Sequence, residues 1–327
     1  MTSYTVAMPL LDEARREIQA TGCISLKTAS AIICSKTSIE ELYALAAQPK
    51  RVDAFYPVKL PNPKFPPISV TGTWCQAGCK YCGGYFLRHM HPAKSPERLW
   101  EVCTKLAERG AKGFLISGGY TREGKVPILR FLPVIKRLRE ELDLSFNIHT
   151  GVLSYQEAKQ IAKARVDVAS VDLIASNTAI KELTNLSITY GDYEKTLENL
   201  EKAGVPYAPH ICIGLYYGRL KGEVNALRIL SRRSFQTLVL LALVTSRRIP
   251  MKEASPPPVD KVAKVMLAAR LMFPDKRLVL GCMRPGGQYR KAVDQAAVKL
   301  GVDGIVQPAV KWSYSVIEAC CALEPQE

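Results

Sequence analysis

Between residue 68 and about residue 310, short β-branched apolar runs alternate with stretches whose apolar positions recur every three to four residues. That alternation predicts parallel strands joined by crossover helices. The runs fall at residues 68–73, 113–117, 145–149, 168–173, 208–214, 237–244, 277–281 and 304–307. Between the first two, Ser95 and Pro96 supply an N-cap and a first-turn proline, and Leu99, Val102, Cys103, Leu106 and Ala107 share one helical face, which makes Cys103 a core residue. Residues 1–65 read differently, with helical patterns at 10–20 and 39–47, the second opened by a Ser38/Glu41 capping box. Five prolines within residues 56–67 disfavour helix and predict an extended connector. The expected fold is therefore α/β: a TIM-type (β/α) barrel, full or partial, spanning 66–327. A small helical N-terminal extension with its connector occupies 1–65. A C-terminal helix after the last strand would carry Cys320 and Cys321 toward the opposite face of the barrel.

Composition narrows the class. A chain of 327 residues, 47% of them hydrophobic, can bury one large core, and barrels of about 250 residues form single domains. The longest apolar run, residues 238–244, is far short of the roughly 20 residues a membrane-crossing helix needs. Asp12, Glu13, Arg15 and Arg16 arrive without a basic-then-apolar leader, so the expected location is the cytoplasm. There, ten cysteines point to metal or redox chemistry rather than to disulfides. A net charge of +15 suits polyanions or acidic protein surfaces as partners, although a dispersed solvated surface would give the same sum, and no block of five like charges occurs.

In such barrels the reacting groups sit where strands end and loops begin. Those positions here are 73–82, 117–120, 149–150, 172–177, 212–218 and 281–287. The first contains Cys75, Cys79 and Cys82, spaced C-x3-C-x2-C. Thiolates are soft ligands that favour iron–sulfur clusters, zinc and copper(I). Three thiolates on a 4Fe–4S cube leave one iron open to a small chelating molecule, and Gly83 and Gly84 permit close approach. A zinc knuckle completed by His89 or His91 is the other reading of the same residues.

The segment Cys75-Gln-Ala-Gly-Cys79-Lys-Tyr81-Cys82 resembles the signature of the radical S-adenosylmethionine superfamily, with an aromatic before the last cysteine. The resemblance covers residues 68 to about 310. It implies a 4Fe–4S cluster on Cys75, Cys79 and Cys82, with Tyr81 beside it and S-adenosylmethionine chelating the open iron through its amino and carboxylate groups. Reductive cleavage of the sulfonium would give a 5′-deoxyadenosyl radical. Ser117-Gly118-Gly119-Tyr120 resembles the glycine-glycine-glutamate element that holds the methionine amino group, with Tyr120 in place of the glutamate. His210-Ile-Cys212-Ile-Gly214-Leu-Tyr-Tyr-Gly218 resembles the biotin synthase segment that contacts adenine, which implies cofactor contacts at Gly214 and Gly218. Asp172 and Asn177 take the place of polar residues that bind the ribose in that branch.

The resemblance also raises a second, auxiliary iron–sulfur cluster. In biotin synthase a cysteine at the position of Cys212 holds the sulfur-donating cluster. Residues 273–287 resemble a stretch of biotin synthase that carries a cluster-binding arginine, here replaced near Val279, with Cys282 a few residues on. Cys23 and Cys34 lie where lipoyl synthases carry auxiliary-cluster cysteines, without the C-x4-C-x5-C spacing. Buried strand thiols remain the plain alternative for Cys212 and Cys282.

Ile68-Ser-Val-Thr-Gly-Thr and Leu280-Gly-Cys-Met-Arg-Pro-Gly-Gly are similar to the two-component lipoyl synthases of archaea and some bacteria. That resemblance implies sulfur insertion at carbon 6 or 8 of a protein-bound octanoyl chain. The implied partners are an acidic octanoylated carrier protein or lipoyl domain, a second radical S-adenosylmethionine subunit and a low-potential electron donor such as ferredoxin. Cofactor maturation, RNA modification, or a non-catalytic zinc or cluster-binding role are the alternatives. Against RNA, the chain has no basic strip interleaved with aromatics.

Overall fold

The computed structural model describes residues 4–46, 52–55, 64–311 and 314–324. The chain begins with helices α1 (Tyr4–Thr21), α2 (Leu26–Cys34) and α3 (Ile39–Leu42), followed by strands β1 (Asp53–Phe55), β2 (Pro67–Ser69) and β3 (His91–Pro92). It then alternates: α4 (Pro96–Glu108), β4 (Gly113–Ser117), α5 (Leu132–Leu142), β5 (Ser145–His149), α6 (Tyr155–Ala164) and β6 (Val168–Asp172). Helices α7 (Asn177–Leu183) and α8 (Tyr190–Lys202) lead to β7 (Tyr207–Ile213), then α9 (Glu223–Leu230), β8 (Thr237–Ala242), α10 (Val259–Met272) and β9 (Arg277–Leu280). Finally come α11 (Gly287–Lys299), β10 (Gly304–Val306) and β11 (Val316–Ile317).

All ladders are parallel, in the order β11-β1-β10-β9-β8-β7-β6-β5-β4-β2-β3. The eight sequence-predicted strands form the continuous run from β2 to β10. They curl into a half-barrel whose outer face is covered by helices, a TIM-type α/β fold with a helical N-terminal region. Three short strands were not expected. β3 extends the sheet beyond β2, and β1 and β11 extend it beyond β10. No ladder joins β3 to β11 among the described residues, so the sheet stays open.

Two local expectations change. The first strand was expected over 68–73, but its ladder stops at Ser69 because Ser69 Oγ donates to the Gly72 carbonyl at 2.6 Å and turns the chain. The C-terminal helix is replaced. Residues 314–324 form β11 and a turn closed by the Leu323 N–H on the Cys320 carbonyl (3.0 Å), and this segment enters the barrel. Residues 56–63 of the proline-rich connector lie outside the described residues.

The N-terminal helices pack on α10. Lys264, 2% exposed, reaches the Ser35 carbonyl at the end of α2 (3.2 Å) and Asp260 (2.8 Å), and Lys261 reaches the Ile33 carbonyl (3.2 Å). These lysines satisfy carbonyls that a helix end leaves unpaired. The Ser38/Glu41 capping box forms as expected. Covered on both sides, α10 is buried along nearly its whole length. No helix among the described residues is long and apolar enough to cross a membrane.

Inside the curl, alternate residues of each strand share one face. Asn147, Ser170, Asp172, His210 and His149 make the β5–β7 side polar: Ser170 Oγ donates to Asn147 Oδ1 at 2.9 Å, and the two histidine rings stand 6.0 Å apart. Val239, Leu241 and Val279, with Phe55 and Val306, make the opposite side apolar.

Candidate cofactor site at the barrel mouth

The cysteine loop follows β2 at the strands' C-terminal end and is held by neighbouring backbone. The Gln76 N–H donates to the Tyr120 carbonyl (2.8 Å), Lys80 N–H to Leu183 (2.8 Å), Asn185 N–H to Ala77 (2.7 Å) and Met251 N–H to Lys80 (3.0 Å). Thr71 adds a side-chain tie. Its Oγ1 accepts the Gly119 N–H at 2.7 Å and donates to the Trp74 carbonyl at 2.9 Å, joining the turn after β2 to the turn after β4. The two turns approach so closely that a Cβ on Gly119 would stand 1.8 Å from Trp74 O and 2.6 Å from Cys75 Cα. Only glycine fits there.

The three sulfurs receive donors from this framework. The Tyr120 N–H points to Cys75 Sγ at 3.3 Å. Backbone N–H groups of Gly84, Phe86 and Tyr85 are directed at Cys82, and the Tyr81 hydroxyl bonds Cys79. Burial pushes the Cys79 thiol up to about 12, with the neighbouring Cys82, Cys75 and Asp172 adding to the rise, and burial likewise raises Cys82. Grouped, half-buried thiols supplied with N–H donors fit an iron–sulfur centre, because a bound metal deprotonates its thiols outright. Among the described residues no three His, Cys, Asp or Glu side chains converge as a single metal ion would require. The two histidines weighed for a zinc knuckle are placed otherwise: His89 packs edge-on against Tyr85, and His91 lies in the edge strand β3.

Beside the thiols, at the end of β6, is Asp172. Its carboxylate meets the Tyr120 hydroxyl at 3.4 Å, and its charge is felt by Cys79, Tyr81, Tyr193, His210 and Cys212. Burial holds Tyr120 and Tyr193 protonated, with Asp172 contributing. His210 is driven down to about 4 by burial, with His149 adding to the fall and Asp172 opposing it. The mouth therefore presents hydroxyls, a neutral imidazole and a carboxylate next to the thiols.

Gly119 lies against Cys75, and Tyr81 and Asp172 lie beside Cys79, while Ser117 and Gly118 end β4 against Ser69 and Thr71. Gly214 and Gly218 form the turn after β7, where the Gly214 N–H donates to Glu223 Oε1 at 2.8 Å. Asn177 is not brought in. It is exposed at the start of α7, and its Oδ1 accepts the Tyr190 N–H at 2.9 Å. Cys212 faces inward near Asp172 and Glu223. Cys34 is exposed at the end of α2, and Cys23 lies between α1 and α2, so both stand with the helices outside the barrel rather than beside Cys282. Cys282 instead packs with Cys320 and Cys321. Thr71, Tyr193 and Glu223 went unrecognised as parts of the site. Thr71 lies within a quoted motif, whereas nothing local marks the other two.

The arrangement is thus an α/β half-barrel with three thiols on the loop after its first core strand, faced by a glycine pair at the end of the next. Residues 69–223 match the Radical SAM superfamily. The chain is similar to the biotin synthase of Leptospira biflexa serovar Patoc, 25% identical over 229 residues, covering 67% of this chain and 62% of that one. The match thus spans about six-tenths of that relative's length. Among solved structures, the FeFe-hydrogenase maturase HydG from Carboxydothermus hydrogenoformans is similar in fold, with a TM-score of 0.67 at 15% identity, covering 93% of this chain and 73% of that one. A methylornithine synthase superposes with a TM-score of 0.63 at 14% identity, covering 91% and 85%.

Proposed function

We propose that the chain is a sulfur-inserting radical S-adenosylmethionine enzyme, one of two subunits that together build a lipoyl group on a protein-bound octanoyl chain. The observation that carries this reading is the cysteine triplet stitched to the Gly118–Gly119 turn at the barrel mouth, in a chain similar to a biotin synthase. When bound, a 4Fe–4S cluster with S-adenosylmethionine supplies the radical that removes hydrogen from an unactivated carbon. The residues of the chain bind, orient and shield. Cys75, Cys79 and Cys82 would hold three irons, and the Gly118–Gly119 backbone would face the methionine end of the cofactor. Asp172 and the turn at Gly214–Gly218 would face the adenosine.

A +15 chain suits an acidic carrier, so association with an octanoylated carrier domain should weaken as salt rises.

Anaerobic reconstitution followed by reduction in the presence of S-adenosylmethionine tests the first half. The intact protein should release 5′-deoxyadenosine and Cys79→Ala should release none. No release from the intact protein, or undiminished release from the variant, overturns the catalytic reading in favour of a non-catalytic metal-binding role. An octanoylated peptide, offered alone and with a candidate second subunit, tests the rest by the mass gain of sulfur on the chain. Release of 5′-deoxyadenosine without sulfur transfer would favour a cofactor maturase or an RNA-modifying enzyme.

A further inference from the structure

Where the N-terminal helices meet the barrel, a surface cavity of about 470 Å³ opens between the end of α2, the start of α9 and the start of α10. Ile33, Leu220, Val224 and the Pro258 ring give it apolar walls, and Gly218 joins them from the turn after β7. Its volume lies in the range of small-molecule sites. Two cations line it. Arg219 is exposed, with its guanidinium 5.6 Å from the centre of the Tyr216 ring and no ion-pair partner among the described residues. Lys261 gives one N–H to the Ile33 carbonyl at 3.2 Å, which leaves two donors over. Among the described residues the cavity has a single carboxylate, Glu223, and it is turned away: Oε1 accepts the Gly214 N–H at 2.8 Å and Oε2 is buried. α10 opens at Pro258 without a side-chain cap, so the positive end of its dipole adds to the two cations.

We infer that this cavity binds a small amphiphilic carboxylate, its acyl chain against Ile33, Leu220, Val224 and Pro258 and its carboxylate between Arg219 and Lys261. The carboxylate takes up the free donors of both cations, and the chain leaves water for an apolar wall. Gly218 ties the cavity to the barrel mouth. Its N–H donates to the Gly214 carbonyl at 2.8 Å, and a Cβ on it would stand 2.1 Å from Ser255 O, so the turn is held tightly from the side of residues 255–257. A ligand resting on Gly218 and Arg219 braces the same turn from the cavity. Occupancy therefore couples to the affinity of the turn for the adenosine it faces, and the coupling is reciprocal. The coupling rests on that reading of the Gly214–Gly218 turn; the binding site itself does not.

Isothermal titration calorimetry of the full chain with octanoate tests the site and should show saturable binding. Arg219→Ala and Lys261→Ala, checked for native circular dichroism, should each weaken it roughly ten- to a hundredfold, as loss of a hydrogen bond to a charged group implies. Hexanoate, with two fewer methylenes to bury, should bind about tenfold more weakly than octanoate. Cys34, exposed at the cavity, supplies a readout that needs no variant: octanoate should slow its alkylation and leave that of Cys23, outside the lining, unchanged. No saturable binding, undiminished affinity in Arg219→Ala, inorganic phosphate binding as well as octanoate, or an unprotected Cys34 overturns the site. On the reconstituted protein, saturating octanoate should shift the Kd for S-adenosylmethionine by about fivefold or more, and Arg219→Ala should remove the shift. An unshifted Kd with octanoate bound refutes the coupling. Octanoate binding in a protein that takes up no S-adenosylmethionine would uphold the site and refute the reading of the turn instead.

Discussion

Replacing Gly119 by alanine probes the join between the two turns at the barrel mouth. The added Cβ would lie 1.8 Å from Trp74 O and 2.6 Å from Cys75 Cα, and both atoms are backbone, so no flexible side chain can move aside. The loops must part. Parting them strains the Gly119 N–H bond to Thr71 Oγ1, the Gln76 N–H bond to the Tyr120 carbonyl and the Tyr120 N–H contact with Cys75 Sγ. Overpacking of this kind costs about 1–3 kcal/mol, and loss of one buried hydrogen bond adds about 1 kcal/mol. With about 1.4 kcal/mol per factor of ten, S-adenosylmethionine should bind the reconstituted variant roughly ten- to a thousandfold more weakly. Equilibrium dialysis with labelled cofactor on anaerobically reconstituted protein measures this, with iron content determined in parallel. A folded Gly119→Ala protein that keeps native iron and binds the cofactor within about threefold of the unsubstituted chain would refute the argument, because the closeness of the turns would then have no bearing on the site.

Thr71→Val should leave the Gly119 N–H without its acceptor and cost about 1–3 kcal/mol in urea unfolding, with Thr71→Ser recovering most of it. Asp294→Ala strips the fully buried Arg284 of its ion-pair partner (2.7 Å, both side chains 0% exposed) and should lower stability by about 3–5 kcal/mol in the same assay. His210 has a folded-state value of about 4, below the usual 6.5, so the unfolded chain binds the extra proton between these limits. Its contribution is complete above pH 6.5 and lost as pH falls toward 4, at no more than about 1.4 kcal/mol per unit, and His210→Gln should flatten that part of the pH–stability curve. An unchanged curve would show that His210 is not the group responsible.

The core strands were legible because each is a β-branched run flanked by helix periodicity, and the structure moves their ends by only a few residues. The short strands β1, β3 and β11 were not, since two or three residues carry no alternation to read. The apolar run around Cys320 and Cys321 looks helical by itself, and its true course is set by distant residues: Asn147 on the sulfur of Cys320, Arg277 on the carbonyl of Leu323. At the mouth the cysteine triplet was readable because its chemistry is local. The position of Asn177 near a strand end says nothing of the Tyr190 N–H that its oxygen accepts. Tyr193 and Glu223 arrive from helices whose sequences look like ordinary amphipathic packing, so only the assembled fold reveals them.

Because residues 316–323 reach into the curl after every barrel strand has passed in the chain, the interior cannot be sealed until β10 has docked. The Asn147–Cys320 contact closes a loop of 173 residues, which makes it among the slowest to find by chain search. The inner thiols are accordingly among the last parts of the interior to be covered.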